Sequence, residues 1–349
     1  AMDGTRTPRS AMASQMAKWA NAPEQASLWQ ARPVQGDIGI VVVPESQLFC
    51  YAQQGNTDFY SQSTRGAYQG FFENNVQADW VHVEDIDRYA VLYLPFPVHL
   101  SGETARRLRA WINGGGTLIA EGLPGYWGDR GRVGTVQPNL GLNRVFGVRE
   151  TYVEFTPDLL NDLTFEWQGQ RVPGGIFLQS YTPTNSESAV VGHYTGDASG
   201  PAAGLAAAVE HRFGNGRTLL FGTFPGYRHF HRPSEESRRF FASVLSWAGV
   251  TQHVRVQGPT DGASLSGEWR GVTARLHQDT ASGQLFLWVT NPARVQRRVM
   301  LQLDPRWAAV RRAAPLWPAG APAVPVEAGS FELEVGDRDA VIAELQRSS

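Results

Sequence analysis

Two glutamates stand directly behind apolar runs of strand length: Glu45 follows residues 38–43, and Glu121 follows residues 117–120. Paired carboxylates at strand ends can serve as general acid and nucleophile, and Asp129 supplies a third nearby, a set suited to hydrolysis of a glycosidic bond. A retaining glycosidase holds its two carboxyl groups ~5–5.5 Å apart. One strand between Glu45 and Glu121 would set them ~10 Å apart, twice the ~4.8 Å strand spacing. At that distance they suit a second role, accepting hydrogen bonds from loop amides or arginines. Two later stretches place glycine, proline and aromatics at a strand end: 121–129, with Tyr126 and Trp127, and 222–229, with Tyr227, Arg228 and His229. Two readings stand for them. They are sharp turns whose aromatics roof the sheet, or they form a ligand or partner rim, since aromatic faces suit sugars and interfaces alike. Trp269 is a further candidate sugar platform. His229 and His231 share a face if their segment is extended, yet Arg228 and Arg232 beside them repel cations and no third ligand stands out. No metal and no cofactor are expected. Cys50, between Phe49 and Tyr51, lacks the small flanking residues of a nucleophile elbow. Neither GxGxxG, a P-loop nor a zinc-ligand pattern is present.

The elements that position these residues are read from periodicity. Met12, Met16, Trp19 and Ala20 behind Thr7-Pro8 predict a helix over residues 9–20, and a second short helical piece covers 24–30. Residues 1–33 thus form a helical arm that cannot bury Trp19 and Trp29 alone. Residues 34–250 read as α/β. The unbroken run 38–43 marks a strand buried on both faces of a parallel sheet. A loop and a helix over 64–75 follow, with further strands at 80–83, 89–94 and 117–120, and Ser101 caps a helix ending at Gly114. Short alternating strands between 148 and 204 read as an inserted antiparallel patch. Asn215-Gly216 then marks a hairpin, and Ser234 caps a last helix. Residues 251–349 alternate at strand lengths and predict a small all-β sandwich, in which the Pro/Ala-rich stretch 314–325 is an irregular loop. The overall expectation is a flavodoxin-like, doubly wound sheet with an antiparallel insert, followed by that sandwich.

Composition narrows the function. The chain has 349 residues, 42% of them hydrophobic, which excludes a mainly disordered polypeptide. A net charge of -2, with 31 basic and 33 acidic residues, leaves no basic excess for nucleic acid. Lys18 is the one lysine, a bias that reads as codon usage rather than a need for guanidinium groups. A single cysteine excludes an intrachain disulfide and a Cys-based zinc site. No run approaches the ~18 apolar residues of a membrane span, and no apolar stretch behind residues 3–9 resembles a signal peptide. A cytoplasmic setting is expected, and Ala1-Met2 before an abrupt start reads as a scar on a piece of a longer protein.

In order, several segments resemble the C-terminal half of a glycoside hydrolase family 42 β-galactosidase or a close relative. They are Asp3-Gly4-Thr5-Arg6-Thr7-Pro8-Arg9, Asp37-Ile38-Gly39-Ile40-Val41, the tract from Asp85 to Pro95, Leu100-Ser101 through Trp111-Ile112, Gly114-Gly115-Gly116-Thr117-Leu118-Ile119, and Leu285 with Trp288-Val289-Thr290-Asn291-Pro292. The resemblance implies that 1–33 leads out of a catalytic barrel. It implies that 34–250 is a trimerisation domain similar to class I glutamine amidotransferases, and that 251–349 is the family's C-terminal β domain. It further implies a homotrimer and a carbohydrate substrate for the parent enzyme. Glu121-Gly122-Leu123-Pro124 stands where amidotransferases carry their cysteine, so amidotransfer is not expected. The family's catalytic glutamates belong to the barrel, and none maps onto this sequence. The leading expectation is a non-catalytic assembly and accessory region. The alternatives are a carbohydrate-binding module, or a free-standing hydrolase using Glu45, Glu121 and Asp129.

Overall fold

Apolar runs and capping residues account for most of the elements. The computed structural model describes residues 4–155, 163–195, 202–257 and 271–347. The arm contains helix α1 (Pro8–Ala20), opened by Thr7 and Pro8, a 3-10 turn at Pro23–Gln25, helix α2 (Ala26–Gln30) and a two-residue strand β1 (Arg32–Pro33). None of the residues of α1 is buried.

Residues 35–252 form one compact unit. It begins with strand β2 (Ile38–Val42), helices α3 (Pro44–Gln54) and α4 (Asp58–Glu73), and strands β3 (Ala78–His82) and β4 (Val91–Leu94). Helix α5 (Gly102–Asn113) and strand β5 (Thr117–Ala120) complete this half. As the sequence requires, the Ser101 side chain accepts the backbone N–H of Thr104 and caps α5. A one-turn helix α6 (Leu142–Val145) leads into β6 (Val148–Phe155), β7 (Thr164–Trp167), β8 (Gln170–Pro173), β9 (Phe177–Pro183) and β10 (Ser188–Thr195). The hairpin β11 (Ala206–Phe213) and β12 (Gly216–Phe221) follows, and helices α7 (Pro225–His231) and α8 (Glu235–Ala248) end the unit. Helix α8 has a capping box between Ser234 and Ser237 and stops at Gly249, whose φ of 70° is the left-handed conformation glycine adopts freely.

One nine-stranded sheet, ordered β3-β2-β4-β5-β12-β11-β10-β7-β8, organises the unit. Pairing is parallel from β3 to β12 and antiparallel beyond. The inner parallel strands β2, β4, β5 and β12 are buried on both faces, which is why their sequences read as apolar runs, while the edge strand β3 is largely open to solvent. Val41, Leu92, Leu118 and Leu220 pack on one side with Leu108 and Ile112 of α5. Ile40, Tyr93, Ile119 and Leu219 pack on the other with Phe71 of α4 and Phe240, Phe241 and Val244 of α8.

Three expectations are corrected here. The stretch 148–204 is not a separate patch: β10, β7 and β8 extend the main sheet through the open edge of β11, and only β6 and β9 pair apart. Residues 44–54, expected as a loop, are the helix α3, because Pro44 at its first turn lacks only an N–H that a helix start does not use. The segment around His229 is the helix α7, not an extended strand.

The second unit combines the arm with residues 253–257 and 272–347. Its strands are β13 (Val254–Gln257), β14 (Thr273–Gln278), β15 (Leu285–Asn291), β16 (Arg297–Leu303), β17 (Val310–Trp317), β18 (Val324–Pro325), β19 (Ser330–Val335) and β20 (Asp339–Arg347). A six-stranded sheet, β1-β14-β15-β20-β17-β18, and a three-stranded one, β13-β16-β19, share a single core of Leu276, Leu287, Val289 and Ala343 against Val254, Val299, Leu301 and Leu333. The Pro/Ala-rich stretch is an irregular loop only over residues 318–323, with β17 before it and β18 after it. Strand β17 reaches into the stretch as far as Trp317, and a register shift against β20 between Pro315 and Trp317 falls where proline has no N–H to give the ladder. The arm belongs to this sandwich: β1 pairs β14, and Ser27 Oγ donates to Asp279 Oδ2 at 2.6 Å.

Candidate functional site

The carboxyl ends of β2, β4, β5 and β12 are where an open parallel sheet binds its ligands. The segments that follow them carry Glu45, Glu121, Tyr126, Trp127, Asp129, Tyr227, Arg228 and His229. Order β2-β4-β5 puts one strand between the Glu45 and Glu121 segments, as expected from the sequence.

Glu121 is fully buried. Its Oε1 accepts the Tyr93 hydroxyl at 2.9 Å and the Gly226 N–H at 2.8 Å, and its Oε2 accepts the Phe96 N–H at 3.2 Å. One carboxyl group thus fastens the end of β5 to β4, to the chain beyond it and to the first turn of α7. Burial pushes its pKa up to about 7, against the pull of the three donors. Burial also holds the Tyr93 hydroxyl well above its ordinary value, so it remains a donor. Glu45, in the first turn of α3, accepts the hydroxyls of Ser101 at 2.9 Å and Thr104 at 2.6 Å. Burial works to raise it, but these hydrogen bonds prevail and its pKa is lowered. Asp129 accepts the Gly102 N–H with both oxygens, at 3.1 and 3.2 Å. Glu45 and Asp129 thus both accept hydrogen bonds from the start of α5, while Glu121 binds β4 and α7.

His229 is buried, with Nδ1 2.7 Å from Ser237 Oγ and Nε2 3.1 Å from Glu73 Oε2, so it ties α7 to α8 and α4. His231, two residues on in a helix, points elsewhere and meets Gln62 Oε1 at 2.6 Å. No group of three metal-ligating side chains occurs among the described residues. Cys50 is buried in α3, and burial raises its thiol pKa, the opposite of an activated nucleophile.

Several aromatics of these segments pack on one another. Trp127 packs on Phe49 at 4.9 Å and on Tyr126 at 4.8 Å, and Tyr227 meets Phe59 edge to face at 5.5 Å. Phe49, Phe59, Phe96, Trp127, Phe155 and Phe177 line a half-open groove of about 490 Å³. Among the described residues no carboxylate, arginine or lysine side chain lines it. Phe49 was not placed at the site because α3 was not foreseen, Phe59 because α4 begins at Asp58 rather than at residue 64, and Phe177 because β9 was not foreseen. On α3, the helix that lends Phe49 to the groove, Leu48 is 70% and Tyr51 60% exposed, and Val133, Val136 and Phe155 are also open to solvent. Trp269 lies outside the described residues.

The fold and this site define a mixed α/β domain whose strand-end carboxylates serve structure, joined in sequence to a β-sandwich. The chain belongs to the β-galactosidase trimerisation domain family, whose model matches residues 23–251. No curated protein matches it by sequence. Among solved structures it is similar to Gan42B, a GH42 β-galactosidase from G. stearothermophilus, at 17% identity over 91% of this chain and 41% of that one, with a TM-score of 0.68. It is also similar to a β-galactosidase from Bacillus circulans sp. alkalophilus (17% identity, 92% of this chain, 44% of that one, TM-score 0.67). A third is a polyextremophilic β-galactosidase from the haloarchaeon Halorubrum lacusprofundi (20% identity, 98% and 44%, TM-score 0.64). These identities speak to fold alone, and the chain spans about two fifths of the length of these β-galactosidases. Among the described residues no helix is long and apolar enough to cross a membrane.

Proposed function

We propose that this chain is a non-catalytic oligomerisation and accessory region of a β-galactosidase-like glycoside hydrolase. The observation that carries the reading is the trimerisation-domain match over 23–251. In it, residues 1–33 lead from a catalytic barrel, 34–250 assemble the trimer and 251–349 form the C-terminal β domain. The parent acts on carbohydrate in the cytoplasm. Parallel strands in the order β3-β2-β4-β5-β12 support a flavodoxin-like, amidotransferase-like description, since numbering them along the chain gives 2-1-3-4-5. Amidotransfer does not follow, because Glu121-Gly122-Leu123-Pro124 offers no nucleophile.

The strand-end rim, with Tyr126, Trp127, Tyr227 and Arg228 behind it, is the surface we assign to self-association. Exposed apolar side chains gathered in one region mark interaction surfaces, and Leu48 and Tyr51 are the most exposed of the large apolar residues. A stable interface needs ~1,600 Å² in all. Light scattering of the purified chain is expected to give three times its 38.4 kDa, and Leu48→Arg with Tyr51→Asp to return it to one subunit. A wild-type mass of 38.4 kDa at every concentration would remove the trimer.

The isolated chain is also expected not to hydrolyse an aryl β-galactoside. Glu121 is sealed from solvent, and Glu45 and Asp129 are tied to the start of α5. Turnover by the purified chain that disappears in Glu45→Gln or Glu121→Gln would reverse this reading in favour of a free-standing hydrolase.

A further inference from the structure

Within the second unit, the arm and the sandwich enclose a cleft of about 970 Å³. That is the upper end of the ~300–1,000 Å³ usual for ligand pockets. Four tryptophans line it: Trp19 and Trp29 from the arm, Trp288 from β15 and Trp317 from β17. Trp19 meets Trp29 edge to face at 5.9 Å and packs against Trp317 at 5.2 Å, while Trp29 meets Trp288 at 6.0 Å. An edge-to-face contact covers one face of only one of its two rings, and Trp29 is 46% exposed. The indole N–H groups of Trp19 and Trp288 are shielded from water and have no acceptor among the described residues, an uncommon state that an arriving acceptor would relieve.

The lip of the cleft is the turn between β19 and β20. Asn291 fixes it by donating its side-chain amide to the carbonyls of Val335 and Gly336. Arg338 there holds a φ of +51°, the left-handed conformation of a tight turn. The turn brings Asp337 and Arg338 to the cleft, both exposed. Neither side chain has a hydrogen-bond or ion-pair partner among the described residues.

We propose that this cleft binds a saccharide. Indole faces take the C–H faces of a pyranose ring, which are apolar. A carboxylate and a guanidinium at the lip accept from and donate to its hydroxyls. A purely apolar occupant would leave Asp337 and Arg338 facing it without partners, and an anion would be opposed by Asp337. The proposal does not depend on self-association, which uses other residues.

The test is calorimetric titration of the full chain with lactose and with galactose, alongside Trp29→Ala, Arg338→Ala and, as a control, Trp80→Ala on strand β3. Trp29 and Arg338 are exposed enough for their variants to fold, which circular dichroism checks. Lactose is expected to bind saturably at about millimolar Kd. Trp29→Ala should weaken it about tenfold and Arg338→Ala about fivefold, with no change in Trp80→Ala. Absence of saturable heat for both sugars overturns the proposal. So does binding that survives Trp29→Ala unchanged, or a Trp29→Ala variant that alters only subunit mass, which would hand the cleft to a protein partner.

Discussion

Gly66→Ala is expected to destabilise the α/β unit by about 3 kcal/mol, the upper part of the range for overpacking. Gly66 lies in the interior of α4, where glycine is otherwise a poor choice. Its place is explained by α7: a Cβ there would stand 1.9 Å from the Gly226 carbonyl oxygen and 3.0 Å from Phe230 Cβ. The obstacle is backbone, so no rotamer change relieves it. Gly226 faces the same crossing from the other helix, and a Cβ on it would meet Ser63 O at 2.6 Å and Glu121 Oε1 at 2.7 Å. Pushing α7 away would therefore also pull the Gly226 N–H from Glu121. Gly55→Ala is the control. It ends α3 at a φ of +73° with nothing within 4 Å of a new Cβ, so only the left-handed backbone penalty of about 1 kcal/mol applies. Urea unfolding of both variants decides the matter, and equal midpoints would show that the two helices do not approach this closely.

Stability of the same unit is expected to fall as pH rises from 5 to 8, through Glu121. Its folded pKa, raised by burial to about 7 from 4.5, means that the folded state binds the proton more tightly than the unfolded chain. The neutral form's advantage is complete below 4.5 and is lost as pH climbs through about 7. At 1.36 kcal/mol per pKa unit, the loss is about 3 kcal/mol. His211, whose pKa burial lowers, works in the opposite direction over part of this range. The readout is therefore the difference between wild type and Glu121→Gln, which has nothing to titrate there. That difference should shift by about 3 kcal/mol in favour of the variant between pH 5 and pH 8. A difference that stays constant would mean that the three donors to the carboxylate outweigh its burial.

What the sequence disclosed follows from which signals are local. Strands β2, β4, β5 and β12 were legible because burial on both faces writes an uninterrupted apolar run. The caps at Ser101 and Ser234 and the stop at Gly249 were legible because each depends on neighbours within one turn. Helix α3 was not, since Pro44 opens a turn as readily as a helix and its outward face is a mixture of Gln47, Leu48, Tyr51 and Ala52. Helix α7 was hidden by its shortness, and with it the true separation of His229 from His231. The carboxylates were found by position but not by role. The donors to Glu121 come from 28, 25 and 105 residues away, a distance over which no pattern reads. The arm's tryptophans announced a need for cover, while the cover, Trp288 and Trp317, lies near the far end of the chain.

That last separation shapes how the protein is made. Strand β1 pairs Arg32 with Gln278 and Pro33 with His277, so it has no partner until residue 278 has left the ribosome. Synthesis at ~5–20 residues per second leaves the arm waiting for tens of seconds after it emerges. Residues 35–252 are continuous in sequence and can fold in that interval. The nascent chain thus carries a finished α/β unit behind an unpaired segment with two bare indoles, the kind of surface that chaperones hold and that neighbouring nascent chains can capture.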